Sequence, residues 1–78
     1  MRFGIESSEV QTLRSLRISR NMDVDDVTEE LKVSKPYLYM IERGIRKPGD
    51  KIKRKLTKLY GISMDELYEV IDNTQSNI

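Results

Sequence analysis

The side chains best suited to nucleophilic or metal chemistry are missing from this 78-residue chain, which has no cysteine and no histidine. A carboxylate-based site would need acids that converge. The acids here gather instead in front of apolar periodic runs, where helices begin and a helix dipole favours negative charge. No enzyme, metal centre or cofactor is therefore expected. What the sequence does supply is hydrogen-bond donors and cations placed close together: Ser34, Lys35, Tyr39, Arg43, Arg46, Lys47 and Lys51. Each can donate to an acceptor atom, and the lysines and arginines add charge. The net charge is only +1, but it is unevenly laid out. Residues 23–31 hold five acids and no base, residues 32–58 hold ten bases against Glu42 and Asp50, and residues 59–78 hold four acids and no base. Positive charge is thus concentrated in the middle of the chain, between acidic segments.

Val33–Pro48 must position those donors. Ser34 is a good N-cap, Pro36 fits a first helical turn, and Gly44 supplies the positive-φ residue that commonly stops a helix. The spacing predicts a helix over Lys35–Arg43. At about 100° per residue, Lys35, Pro36, Tyr39, Met40 and Arg43 fall on one side and Tyr37, Leu38, Ile41 and Glu42 on the other. One face can anchor in a core while the other presents two cations, a phenol and two apolar side chains.

Four more helices are expected around it. Ser8 with Gln11 has the form of a capping box and opens a helix to about Ser19, with a stripe of Val10, Leu13, Leu16 and Arg17. Asp23 caps a second helix that runs to about Lys32, with Asp25 and Asp26 in its first turn and Val24, Val27 and Leu31 facing inward. A fourth spans roughly 51–60, with Ile52, Leu56 and Leu59 inward. A fifth begins at the capping box Ser63–Glu66, runs to about Asp72, and buries Leu67 with Val70 or Ile71. No strand pattern or repeat is present. The fold class is a compact all-α five-helix domain. The expected organisation is an irregular lead-in over 1–8, a domain over 9–72 and a flexible tail over 73–78. With the tail following the fifth helix at once, no sensor or ligand domain is expected after it. No apolar run approaches the ~18 residues of a membrane span, and there is no signal-peptide core, so a cytoplasmic location is expected.

The second and third helices are separated by Lys32-Val33-Ser34, the spacing of a helix-turn-helix. With it the sequence resembles the phage-repressor type of helix-turn-helix domain, the XRE or Cro-like family with a lambda-repressor-like fold. The matching pieces are Leu13-x-x-Leu16-Arg17, Leu31-x-Val33-Ser34 and Tyr37-Leu38-x-x-Ile41-Glu42-x-Gly44. Arg46-x-Pro48 and Leu59-x-x-Ile62-Ser63-x-Asp65-Glu66-Leu67 continue the series in order. The resemblance implies an ion pair between Arg17 and Glu42 that ties the first helix to the third. It also implies that the third helix enters a DNA major groove, with Lys35, Pro36, Tyr39 and Met40 facing bases and Ser34, Arg43, Arg46, Lys47 and Lys51 on the backbone. Lys35 can donate to guanine O6 and N7, Tyr39 can donate or pack on a thymine methyl, and Pro36 and Met40 offer apolar contact.

Three positions depart from the family pattern. Val24 stands where a phosphate-gripping glutamine is usual, Thr28 where a small residue lets the second and third helices approach, and Lys32 at the turn glycine. Lys32 must take a left-handed conformation at a cost of about 1 kcal/mol or reshape the turn. Asp23, Asp25 and Asp26 place negative charge at the helix end that relatives turn towards phosphate. Two functions follow from the resemblance. One is a sequence-specific, repressor-like regulator of transcription on double-stranded DNA, expected as a homodimer on a two-fold operator and of phage or mobile-element origin. The other is a protein–protein adaptor on the same fold, with an antirepressor- or antitoxin-like partner, favoured by the acidic start of the second helix and the Tyr39/Met40 face. RNA binding is a lesser variant, because the aromatic platform of single-strand readers is absent. A further stripe, Met64, Leu67, Tyr68 and Ile71, could either finish the core or pair two chains.

Overall fold

The computed structural model describes residues 10–76. Five helices follow one another: α1 (Leu13–Ser19), α2 (Val24–Leu31), α3 (Lys35–Glu42), α4 (Asp50–Tyr60) and α5 (Met64–Ser76). Their apolar faces meet in one core of Leu13, Leu16, Val27, Leu31, Leu38, Ile41, Leu56, Tyr60, Leu67, Val70 and Ile71. The all-α, five-helix arrangement and the placement of α2 and α3 as a helix-turn-helix agree with the expected fold class.

The first four helices end in the same way. Asn21, Lys32, Gly44 and Gly61 all have positive φ, between 57° and 78°. Each places the N–H of the next residue on a carbonyl five positions back: Met22 on Arg17, Val33 on Thr28, Ile45 on Met40 and Ile62 on Thr57, at 2.9–3.2 Å. This closure satisfies carbonyls that a helix end would otherwise leave unpaired. Of the two options open to Lys32, the chain takes the left-handed one, at φ 59° and ψ 50°. A cation from another helix reinforces two of these ends: Lys55 Nζ donates to Leu31 O at 3.0 Å and Arg20 Nε to Tyr60 O at 3.0 Å.

The first helix starts later than the sequence indicates. Residues 10–12 are not helical and Val10 is exposed. Thr12 caps α1 reciprocally with Ser15: Ser15 N–H donates to Thr12 Oγ1 at 3.1 Å and Thr12 N–H to Ser15 Oγ at 2.8 Å. Ser8, the expected cap, lies outside the described residues, as does the expected lead-in over 1–8. The last helix runs on past its expected end. The flexible tail expected from residue 73 is corrected through Ser76, because Asn73 and Thr74 find partners at the start of α1. Asn73 Nδ2 donates to Gln11 O at 3.0 Å, and buried Thr74 Oγ1 accepts from Leu13 N at 2.9 Å while donating to Val70 O at 2.8 Å. The capping box at the start of α5 forms as expected, with Glu66 N–H on Ser63 Oγ at 3.1 Å and Ser63 N–H on Glu66 Oε1 at 2.9 Å. Val70 and Ile71 are both buried, and the Met64/Leu67/Ile71 stripe is spent on the core, leaving Tyr68 half-exposed. In α4 the inward positions are Leu56 and Tyr60, with Ile52 and Leu59 only partly buried.

Candidate nucleic-acid interface

Ser34 opens α3 by accepting the N–H of Tyr37 on its hydroxyl at 3.2 Å, and Pro36 occupies the first turn, where its missing N–H costs nothing. Leu38 and Ile41 then bury the inner face. Glu42 extends that attachment to α1: Arg17 Nε donates to Glu42 Oε2 at 2.7 Å and Nη2 to Oε1 at 3.2 Å. The third guanidinium nitrogen, Nη1, donates to Met22 O at 3.2 Å, so the turn between α1 and α2 is tied to the same group. The two side chains are 10% and 5% exposed. The hydrogen bond to Glu42 is the largest influence on Arg17 and holds its pKa above the ordinary arginine value, against the opposing effect of burial.

The outer face carries Lys35, Pro36, Tyr39 and Arg43, all exposed, whereas Met40 is half-buried and only part of it can face outward. The carbonyl of Met40 also receives the N–H groups of Ile45 and Arg46 at 2.9 and 3.2 Å, which sets the direction of the loop after α3. In that loop the Arg46 guanidinium lies 5.7 Å from the centre of the Tyr37 ring, close enough for a cation–π contact, and Lys47 is exposed. Pro48 is buried and returns the chain to the core.

The cations of α4 divide by task. Lys53 sits 4.9 Å over the Tyr68 ring and 3.5 Å from Asp50, and Lys55 caps the end of α2. Lys51, Arg54 and Lys58 stay exposed, with Lys51 in the first turn nearest the loop after α3.

The acidic start of α2 also divides. Asp23 and Asp26 cap one another's backbone, Asp26 N–H on Asp23 Oδ1 at 2.8 Å and Asp23 N–H on Asp26 Oδ2 at 3.1 Å. Asp25 instead reaches across to α3, its Oδ1 2.9 Å from Lys35 Nζ. That hydrogen bond, and then the Asp25 charge, hold the Lys35 ammonium above the usual lysine pKa. Both residues stand out in the sequence but their pairing does not, because nothing in the spacing says which of three neighbouring acids faces α3. Arg14 is a site residue that the sequence pattern does not single out. This arginine joins Arg17, Val24, Tyr39, Glu42 and Arg43 around an open cleft of about 510 Å3. Its spacing from Arg17, one helical turn earlier, was the available signal.

Residues 13–67 match the helix-turn-helix family, and the chain belongs to it, within the XRE type that includes Cro- and C1-like domains. This is a family of transcriptional regulators and not of enzymes. Among curated proteins, the chain is 32% identical over 62 residues to the HTH-type transcriptional regulator DdrOP3 of Deinococcus deserti, an alignment covering 80% of this chain and 48% of that protein. It is 34% identical over 56 residues to an uncharacterized HTH-type transcriptional regulator of Mycobacterium tuberculosis, covering 72% of this chain and 40% of the relative. The chain therefore spans less than half the length of these relatives. No solved structure gives a significant match. Among the described residues, no helix is long and apolar enough to cross a membrane.

Proposed function

We propose that this chain is a sequence-specific DNA-binding module of a transcriptional regulator, with α3 in the major groove of double-stranded DNA. The observation that carries this reading is the two-sided character of α3. Leu38, Ile41 and the Glu42–Arg17 pair fix its inner face, while Lys35, Pro36, Tyr39 and Arg43 stand exposed on the outer one. A rigid helix with its donors pointing outward is what reading base edges requires. Lys35 and Tyr39 supply base-edge donors, and Pro36 and the exposed part of Met40 supply apolar contact. The N-terminus of α3 at Ser34, with Arg43, Arg46, Lys47 and Lys51, meets the phosphates. Arg14 joins that group from the rim of the cleft beside Arg43. Two copies would occupy half-sites about one helical turn apart, as a two-fold operator requires. Such a protein works in the cytoplasm, on the nucleoid when bound. The similarity to proteins named as HTH-type transcriptional regulators supports this reading.

The test is fluorescence anisotropy on a random-sequence duplex at about 50 mM and about 200 mM salt. Binding that weakens steeply between the two is expected, and Arg43→Ala with Lys47→Ala should weaken it while circular dichroism stays unchanged. No binding at the lower salt would leave the adaptor reading in its place. The observation that favours that reading is the Lys35–Asp25 pair, which cancels a cation on the face that DNA would meet.

A further inference from the structure

Lys35 begins the exposed face of α3, yet its ammonium is held 2.9 Å from Asp25 Oδ1 on α2. Asp25 is free for this contact because the neighbouring acids Asp23 and Asp26 are committed to each other's backbone N–H groups. Both partners of the pair stay accessible, with side chains 56% and 72% exposed. At this corner of the interface an approaching polyanion therefore meets a neutral pair and not a free cation. An ammonium, however, has three N–H donors. One is taken by Asp25, and the other two remain available on a side chain that is 56% exposed and tethered at its Nζ by the contact. A phosphate is attracted mainly by net charge, and the carboxylate beside Lys35 repels it. A neutral acceptor pair such as guanine O6 and N7 needs only donors in the right place, which the pair still offers.

We propose that Asp25 is a specificity-determining residue: it neutralises Lys35 towards phosphate while presenting it as an aimed donor to a guanine edge. Discrimination arises by penalising the wrong encounter and not only by favouring the right one. The inference rests on the DNA-binding reading above and assigns a task to a residue outside the recognition helix.

The experiment compares two probes of about 20 base pairs, enough for two half-sites a turn apart. One is a random-sequence duplex. The other is the tightest duplex that the wild-type protein selects from a random pool. Asp25→Asn is expected to raise affinity for the random duplex roughly two- to fivefold, the scale of an exposed ion pair. It should also steepen the slope of log affinity on log salt by about 0.9, one added phosphate contact. The selected-to-random affinity ratio falls accordingly. The same change in a Lys35→Ala background should give a clearly smaller rise, because the cation it would release is gone. An equal rise in both backgrounds reduces Asp25 to one more negative charge near DNA and overturns the proposal, as does an unchanged ratio. Failure of wild type and every variant to bind either duplex at low salt, or of the pool to yield an enriched sequence, brings down the sequence-specific reading itself and this inference with it. Asp25 is exposed and outside the cap, so the variants should stay folded, with melting temperatures lowered by no more than about 4–8 °C, the scale of about 1 kcal/mol for one first-turn charge and one exposed ion pair.

Discussion

Removing the Arg17 guanidinium would leave the Glu42 carboxylate, 5% exposed, without the two hydrogen bonds that hold it. Losing one member of a buried pair costs on the order of 3–5 kcal/mol, and Arg17→Ala should lower the unfolding free energy in urea by that amount. Arg17→Lys should recover only part of the loss, since an ammonium cannot make the forked contact with both oxygens. Tyr60 gives a prediction in alkali. Burial pushes its hydroxyl pKa well above the ordinary value of 10.0, with the Glu42 charge adding to the effect and Arg17 and Arg20 opposing it. The folded protein thus holds this proton more tightly than the unfolded chain does. Its contribution is complete below about pH 10 and declines as pH rises beyond that, where the unfolded chain ionises first. Urea titrations from neutral pH into the alkaline range should show this loss, and Tyr60→Phe should reduce it. At this scale the sequence was unevenly legible. Arg17 and Glu42 were identifiable through the ordered pattern around them. Tyr60 was not, because Leu59 is the more apolar neighbour and only packing in the shared core decides which of the two turns inward.

Lys32 shows how a helix ending can be right in place and strained in residue type. It closes α2 at φ 59°, where glycine fits without penalty. Lys32→Gly should stabilise the domain by about 1 kcal/mol, offset in part by the greater freedom of glycine in the unfolded chain. A raised urea midpoint at unchanged slope is the expected reading. Thr74→Val tests the other end of the chain. It keeps the shape but leaves the buried N–H of Leu13 without its acceptor, and should cost about 1–3 kcal/mol in urea unfolding. The extent of helices was legible wherever the signals were local: the Ser34 and Ser63 caps, the Asp23 cap, and Gly44 as a stop. It failed at the beginning of α1 and the end of α5. Two capping patterns, Ser8–Gln11 and Thr12–Ser15, compete within a few residues. Polar Asn73 and Thr74 read as a tail until the first helix is seen to provide their partners. Both misreadings have one origin, a contact between segments about sixty positions apart.

Across the whole molecule, the net surplus of eight positive charges over residues 32–58 overstates the charge available to a partner. Lys53 is held over Tyr68, Lys55 is bonded to a carbonyl, and Lys35 is matched by Asp25. Arg14, Arg43, Arg46, Lys47 and Lys51 are the proposed phosphate-contacting cations. Each contact contributes about −0.9 to the slope of log affinity on log salt, so five per copy should give about −4.5 for each bound copy on a random duplex. Anisotropy at four or five salt concentrations measures it directly; a slope of about −6.3 per bound copy would mean that Arg54 and Lys58, the other exposed cations of α4, also take part. The hydrogen bonds from Leu13 to Thr74 and from Asn73 to Gln11 have a consequence of another kind. They bring the two ends of the described chain side by side, so the order of the helices along the polypeptide is separable from their arrangement in space. A short linker from Ser76 to Thr12, with new termini opened in the turn at Gly61–Ser63, should give a circularly permuted protein with the same recognition surface.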